Sequence, residues 1–272
     1  LTSIPEEVKE LVKPDLNEAR VDELLGYCVK ISGQPWPEAE KKILERGEVS
    51  DILEFIRWCK RRRWPEAEPR ILREGSISEI KGYIENYKPQ GWPEAEPRIL
   101  REYNVSDIVE YTMKYKLQGW PEAEPKILRE GKIDDIVRYA KSFKPQGWPE
   151  AEPKFAQSAE LSCRYAAEVL GGKRFPLGEP AIAQSAKWSV HYATIVLKRK
   201  RFPEGEPAIA QSAEWSYRYA KNVLKRKRFP LGEPAIAQDA QWSFHYAEYI
   251  LKGKRFPEGE PAIAKDAFWS CK

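Results

Sequence analysis

The sequence predicts an all-α solenoid of about nine two-helix units, with a repeat period of 27 or 28 along the chain. Three observations carry that prediction. First, the phrase Arg-Phe-Pro-Glu-Gly-Glu-Pro-Ala-Ile-Ala at 201–210 belongs to a set of Phe-Pro pairs that begin at Phe175, Phe202, Phe229 and Phe256, a constant period of 27. Second, a sister phrase, Trp-Pro-Glu-Ala-Glu, begins at Trp36, Trp64, Trp92, Trp120 and Trp148, a constant period of 28. Third, each phrase is followed by an apolar pattern of helical spacing. A fixed period of roughly 20–50 residues marks a repeat array, in which each unit buries its apolar face only by stacking on its neighbours.

Residues 1–34 read as a degenerate capping unit, with Ile4-Pro5-Glu6-Glu7 as a worn opening phrase. Asp15 and Asn17 are candidate caps for a helix through Ala19, Val21, Leu24, Leu25 and Val29. Residues 35–152 carry the Trp-Pro units. Their first helix is predicted to start at Glu68-Pro69, with proline at the opening position where its missing N–H costs nothing. Gly75 and Gly131 are predicted to end it in the left-handed conformation. Ser76 and Glu79 have capping-box spacing for the second helix, and Asn104 and Asp107 repeat it. Lys88-Pro89-Gln90-Gly91 is the turn back. Residues 153–272 carry the Phe-Pro units, the last of them incomplete. Ser212, Asp239 and Asp266 cap their second helices, which show two apolar stripes: Trp215, Tyr219, Val223 and Ser216, Ala220, Leu224. Leu177, Glu204, Leu231 and Glu258 alternate, as do His191, Arg218 and His245, giving a super-period of two repeats.

Composition narrows the function classes. Residues 151–272 hold 20 basic and 13 acidic residues, a net of +7, whereas residues 1–150 hold 26 and 29, a net of −3. That skew suits an acidic partner but falls short of a dedicated nucleic-acid binder. Four scattered cysteines without a CxxC pair point to a reducing, cytoplasmic setting. No signal peptide or long apolar run is seen. The two histidines, His191 and His245, stand two repeats apart with no Cys or Asp at ligand spacing, which argues against a zinc site. Nucleotide-binding and nucleophile-elbow patterns are absent, so neither cofactor nor enzyme activity is expected.

The tandem phrases Arg-Phe-Pro-Glu-Gly-Glu-Pro-Ala-Ile-Ala and Trp-Pro-Glu-Ala-Glu-Pro, each followed by a Tyr-Ala-type helix, resemble the repeats of a family of largely uncharacterised proteins of bacteriophages and some bacteria. The resemblance spans residues 35–272 and is weaker in the Trp-Pro units. It implies a helical-repeat fold and supplies no activity and no site residues.

Five columns of residues bear on function. Trp188, Trp215, Trp242 and Trp269 form one aromatic column, and Tyr165, Tyr192, Tyr219 and Tyr246 another. Both read as inter-repeat core, with base stacking as the sharper alternative. Glu179, Glu206, Glu233 and Glu260, each five positions after Arg174, Arg201, Arg228 or Arg255, read as a structural ladder, because a catalytic carboxylate is needed once and not at every repeat. Basic turns at Lys198, Arg199, Lys200 and Arg201, and at Lys225, Arg226, Lys227 and Arg228, form a candidate ridge. A second basic column runs Arg164, His191, Arg218, His245 and Lys272. The expected function is a non-enzymatic scaffold that binds a protein partner through an extended face. The alternative is nucleic-acid binding along the basic turns, and self-association through exposed repeat ends is a further expectation.

Overall fold

The computed structural model describes residues 13–30 and 36–271. Among the described residues there is no strand, and the helices pack in sequential pairs, so the fold is the all-α helical-repeat solenoid expected. The chain divides into two compact units between Leu117 and Gln118. The change of repeat type at 152–153 falls inside the second unit. The Ile4-Pro5-Glu6-Glu7 phrase and Lys272 lie outside the described residues.

One repeat of the first unit shows how the phrase folds. Trp64 is extended and fully packed, 3% exposed. A 3-10 turn, Pro65–Ala67, follows it, and the first helix runs Glu68–Glu74. Pro69 is therefore the second helical residue, still within the turn whose N–H groups have no intrahelical partner. The second helix, Ile77–Tyr87, begins with the capping box: Ser76 Oγ accepts from the Glu79 N–H, and the Ser76 N–H donates to the Glu79 carboxylate at 2.7 Å. Asn104 caps Val105–Tyr115 through Asp107 N–H at 2.9 Å.

Two local expectations are corrected. Gly75 and Gly131 do not end the first helix in the left-handed region; their φ/ψ values are −64/146° and −70/143°. Only Gly75 and Ser76 separate the two helices, and an extended residue leads the chain directly into the extended cap. Tyr103 takes the same conformation at −70/147°, so this position does not depend on glycine. The left-handed glycine lies instead in the turn between repeats, at Gly91 with φ +83°. Asp15 and Asn17 do not cap the helix Val21–Lys30: Asp15 Oδ1 closes a turn on the Asn17 N–H at 2.8 Å, and Glu23 accepts from the Arg20 N–H at 3.0 Å.

In the second unit the Phe-Pro repeats keep this plan with a shorter first helix, Glu206–Ala210, and a second helix Ala213–Asn222 capped by Ser212. Asp239 and Asp266 cap as expected. Gly205 replaces the alanine of the Trp phrase because the preceding repeat comes too close: a Cβ there would lie 2.4 Å from Ser189 Oγ. Tyr165, Tyr192, Tyr219 and Tyr246 are all 0% exposed and form the inter-repeat core with Phe175, Phe202 and Phe229. Each such ring, fully buried, stabilises by about 1.5–3 kcal/mol. The tryptophan column departs from expectation, since Trp188, Trp215, Trp242 and Trp269 are only half-buried. The position lies at the border of the buried stripe.

Candidate binding surface

The repeated carboxylates are consumed by the fold. In each of three Phe-Pro repeats the backbone N–H of the phenylalanine donates to a tyrosine hydroxyl, and that hydroxyl donates to the glutamate. For Phe202, Tyr219 and Glu206 the distances are 3.0 and 2.8 Å. Arg201 then closes on both oxygens of Glu206 at 2.8 and 2.7 Å. Arg174–Glu179 and Arg228–Glu233 repeat this fork, and Arg255–Glu260 does so at the last Phe-Pro phrase. Hydrogen bonds from Arg174 hold the Glu179 carboxyl below the usual carboxylate range against the opposing effect of burial, and Tyr192 adds to the lowering. Burial drives the tyrosine hydroxyls upward, to about 12 at Tyr165. Arg201 and Arg228, two of the candidate contact residues, are therefore tied to the ladder rather than held out for a partner.

The remaining turn residues differ. Lys198, Arg199, Lys200, Lys225, Arg226 and Lys227 are all exposed and have no carboxylate partner among the described residues. Four of them also adopt the left-handed backbone: Lys198 at φ +53°, Arg199 at +62°, Lys225 at +53° and Arg226 at +61°. The turn is the same in four repeats. The Arg199 N–H donates to Ala193 O and the Arg226 N–H to Ala220 O, each at 2.9 Å, as the Gly172 N–H does to Ala166 O. The Gly253 N–H does so to Ala247 O at 3.0 Å. Glycine is the unstrained occupant, and Gly171, Gly172 and Gly253 supply it in the sister turns. A side chain in that region costs roughly 1–2 kcal/mol per residue.

The second basic column lies on the outward side of the second helices. Arg164 pairs with Asp134 at 2.7 Å and Glu168 at 2.9 Å. His191 sits between two indoles, 5.5 Å from Trp188 and 5.8 Å from Trp215. Burial, then the charges of Lys187 and Arg218, lowers its pKa below the ordinary histidine value. Arg218 lies over the Trp215 ring at 5.2 Å and bonds Glu214 at 2.8 Å. His245 is ringed by Tyr217, Trp242, Tyr249 and Trp269 at 5.2–5.9 Å, and its buried Nδ1 has no hydrogen-bond partner among the described residues. The result is a surface row in which indole alternates with imidazole or guanidinium. Beside it runs a groove of about 380 Å³ lined by Tyr217, Arg218, Lys221, Asn222, Trp242, His245 and Tyr249. Lys221 lies over both Tyr217 and Tyr249, at 5.4 and 5.2 Å.

From the sequence the tryptophans carry a contact role only as the base-stacking alternative to core, and Lys221 and Tyr249 were not singled out. The signal was available: each tryptophan stands three positions before a member of the basic column, which places the pair on one helix face. Among the described residues no group of three or more metal-ligating side chains occurs and no helix is long and apolar enough to cross a membrane. Cys28, Cys59, Cys163 and Cys271 are unpaired, and burial pushes the Cys163 thiol up to about 11. Comparison with protein-family models, curated proteins and solved structures finds no match to this chain.

Proposed function

We propose that this protein is a non-enzymatic repeat scaffold that binds a protein partner through the outward face of the second helices between Ala159 and Tyr249. The observation that carries the reading is the row Trp188–His191–Trp215–Arg218, continued by Trp242 and His245 beside the groove. Tryptophan, tyrosine and arginine are the residues in which interface energy concentrates. Half-buried rings whose backs are already packed lose little rotamer entropy when a partner covers them. Arg218 and Lys221 add positive charge, which favours an acidic segment. The repeating carboxylates support a non-enzymatic role, since Glu179, Glu206 and Glu233 are each already bonded to a tyrosine and an arginine. The four unpaired cysteines support work in the cytoplasm, and the tandem phrases support kinship with the phage and bacterial repeat proteins they resemble.

Site-specific photocrosslinking in cells tests the reading. A photoreactive residue at Lys221 captures a discrete protein, and one at exposed Glu204, beside the proline turn, does not. The adduct at Lys221 disappears in Arg218→Glu. Equal capture at both positions, or none at Lys221, sinks the proposal.

A further inference from the structure

We propose that the left-handed basic turns form a rail for the phosphate backbone of a nucleic acid. This surface is separate from the tryptophan row, and the inference is independent of the protein-binding reading. Four repeats share one turn geometry, closed by the same long backbone hydrogen bond. Glycine fills it at Gly171-Gly172 and completes it at Gly253, yet the two middle repeats place Lys198-Arg199 and Lys225-Arg226 there at φ between +53° and +62°. Nothing in the fold rewards those side chains: they are exposed and have no carboxylate partner among the described residues. Backbone strain retained without a structural return is the pattern of a functional position. The neighbouring glutamates do not cancel the charge, because Glu206 and Glu233 are already closed by Arg201 and Arg228. Lys200 and Lys227 extend each turn, and Lys252 and Lys254 continue the row in the next repeat. The helices Ala186–Ile195, Ala213–Asn222 and Ala240–Tyr249 pack as successive layers, so the turns recur at roughly one helix-packing distance, on the order of 10 Å. Clusters of cations at that interval match a repeating anion read without regard to base. A polyphosphodiester is such an anion, and its binding releases condensed counterions.

The experiment is a salt series of fluorescence anisotropy on the purified chain. The probes are labelled oligothymidylate, a mixed-sequence duplex, and vesicles containing phosphatidylserine. The rail binds one or both oligonucleotides. The six cations of the two middle turns on a single strand give a log–log salt slope of about −4, each contact contributing about 0.7, and Lys252 and Lys254 steepen it toward about −5.6. Arg199→Gly with Arg226→Gly shallows the slope by roughly 1.4 and at the same time raises Tm, because glycine relieves the turn. Lys200→Gln with Lys227→Gln shallows it similarly with Tm unchanged. Arg218→Glu, on the tryptophan row, leaves oligonucleotide affinity within about twofold, which separates this test from that of the protein-binding face. The proposal is overturned by absent oligonucleotide binding, by binding to vesicles alone, by glycine variants that bind like the parent, or by loss of binding in Arg218→Glu.

Discussion

The Trp-Pro and Phe-Pro repeats solve one problem with different cations. In both, a tyrosine hydroxyl joins the backbone N–H of the opening aromatic residue to the glutamate of the Glu-Pro pair. In the Phe-Pro repeats the arginine just before the phenylalanine closes the node, five positions from its glutamate. In the Trp-Pro repeats a lysine from the return turn does so: Lys88 to Glu68 and Lys116 to Glu96 in the first unit, at 2.7 Å each, and Lys144 to Glu124 in the second, at 2.9 Å; at Glu68 the arginine before the tryptophan, Arg63, is present as well and holds both carboxylate oxygens. The lysine also lies over an indole, Lys60 on Trp64 and Lys88 on Trp92 at 4.9 Å. Tryptophan is the best face for a cation, so a lysine-closed node favours it. An arginine-closed node needs no such platform, and phenylalanine suffices. The consequence lies in the turn. Where lysine alone closes the node or joins it from a neutral turn, at Lys88, Lys116 and Lys144, the turn is Lys-Pro-Gln-Gly or Lys-Leu-Gln-Gly and its one charge goes to the node, whereas Lys60, which pairs with Glu40, is followed by Arg61-Arg62-Arg63. Where arginine takes over, the turn residues are released to solvent as Lys198-Arg199-Lys200 and Lys225-Arg226-Lys227.

Acid titrates several nodes together and should have the broadest effect. The Glu68 carboxyl is pushed up by burial, but bonds from Arg63, Lys88 and Tyr83 outweigh that and hold it below its ordinary value; Glu179 and Glu233 are also lowered. A carboxyl lowered by folding adds stability above its unfolded pKa, about 4.3, and that stability is lost as pH falls through the folded value. The urea midpoint is therefore expected to be flat with respect to these groups above about pH 5 and to fall steeply below pH 4 or so. A midpoint unchanged down to pH 3 or so would mean the nodes add no net stability.

Removing one carboxylate should then distinguish the two designs. Glu68→Ala strands Lys88, whose side chain is only 8% exposed, along with the more exposed Arg63, and should cost about 3–5 kcal/mol in urea titrations. Glu206→Ala leaves Arg201, 62% exposed, free to rehydrate, and should cost less, about 1–3 kcal/mol. Equal costs would break the distinction between a node that adds a buried lysine and one closed by a half-open arginine alone.

Gly205→Ala tests why the phrase changes from Ala to Gly. The added methyl meets Ser189 Oγ at 2.4 Å and Phe202 Cδ1 at 2.6 Å, and about 1–3 kcal/mol is expected to be lost, with only partial recovery in the double variant carrying Ser189→Gly, because the Phe202 contact remains. The smallest effect is a gain: Arg226→Gly should stabilise by about 1 kcal/mol, read as a raised urea midpoint. A loss there would show that the Arg226 side chain serves the fold after all.

Much of this was legible in the chain. The caps at Ser76, Asn104, Ser212 and Asp239 were readable because a cap is a bond between residues three apart. The arginine–glutamate ladder was readable for the same reason, at a separation of five. The tyrosine column was correctly read as core. The tryptophan column was not: the repeat places Trp215 and Tyr219 on neighbouring stripes, but only the packed helices decide that one is half-exposed and the other sealed. Arg201 and Arg228 looked equivalent to Lys200 and Lys227, because a run of four basic residues carries no mark of which one turns inward.

The sequence by itself determined the all-α class, the repeat length, the two repeat types and most helix starts, since these rest on periodicity and on hydrogen bonds within a few residues. Tertiary structure alone decided which cation closes each node, which aromatic rings stay open, and that Lys198-Arg199 and Lys225-Arg226 occupy a turn that glycine fills in the sister repeats. Those outcomes depend on contacts between residues far apart in the chain and between stacked repeats, such as Tyr83 to Glu68, Lys88 to Glu68, and Ser189 against Gly205. No local pattern encodes them, because packing sets the distance and direction at which those groups meet.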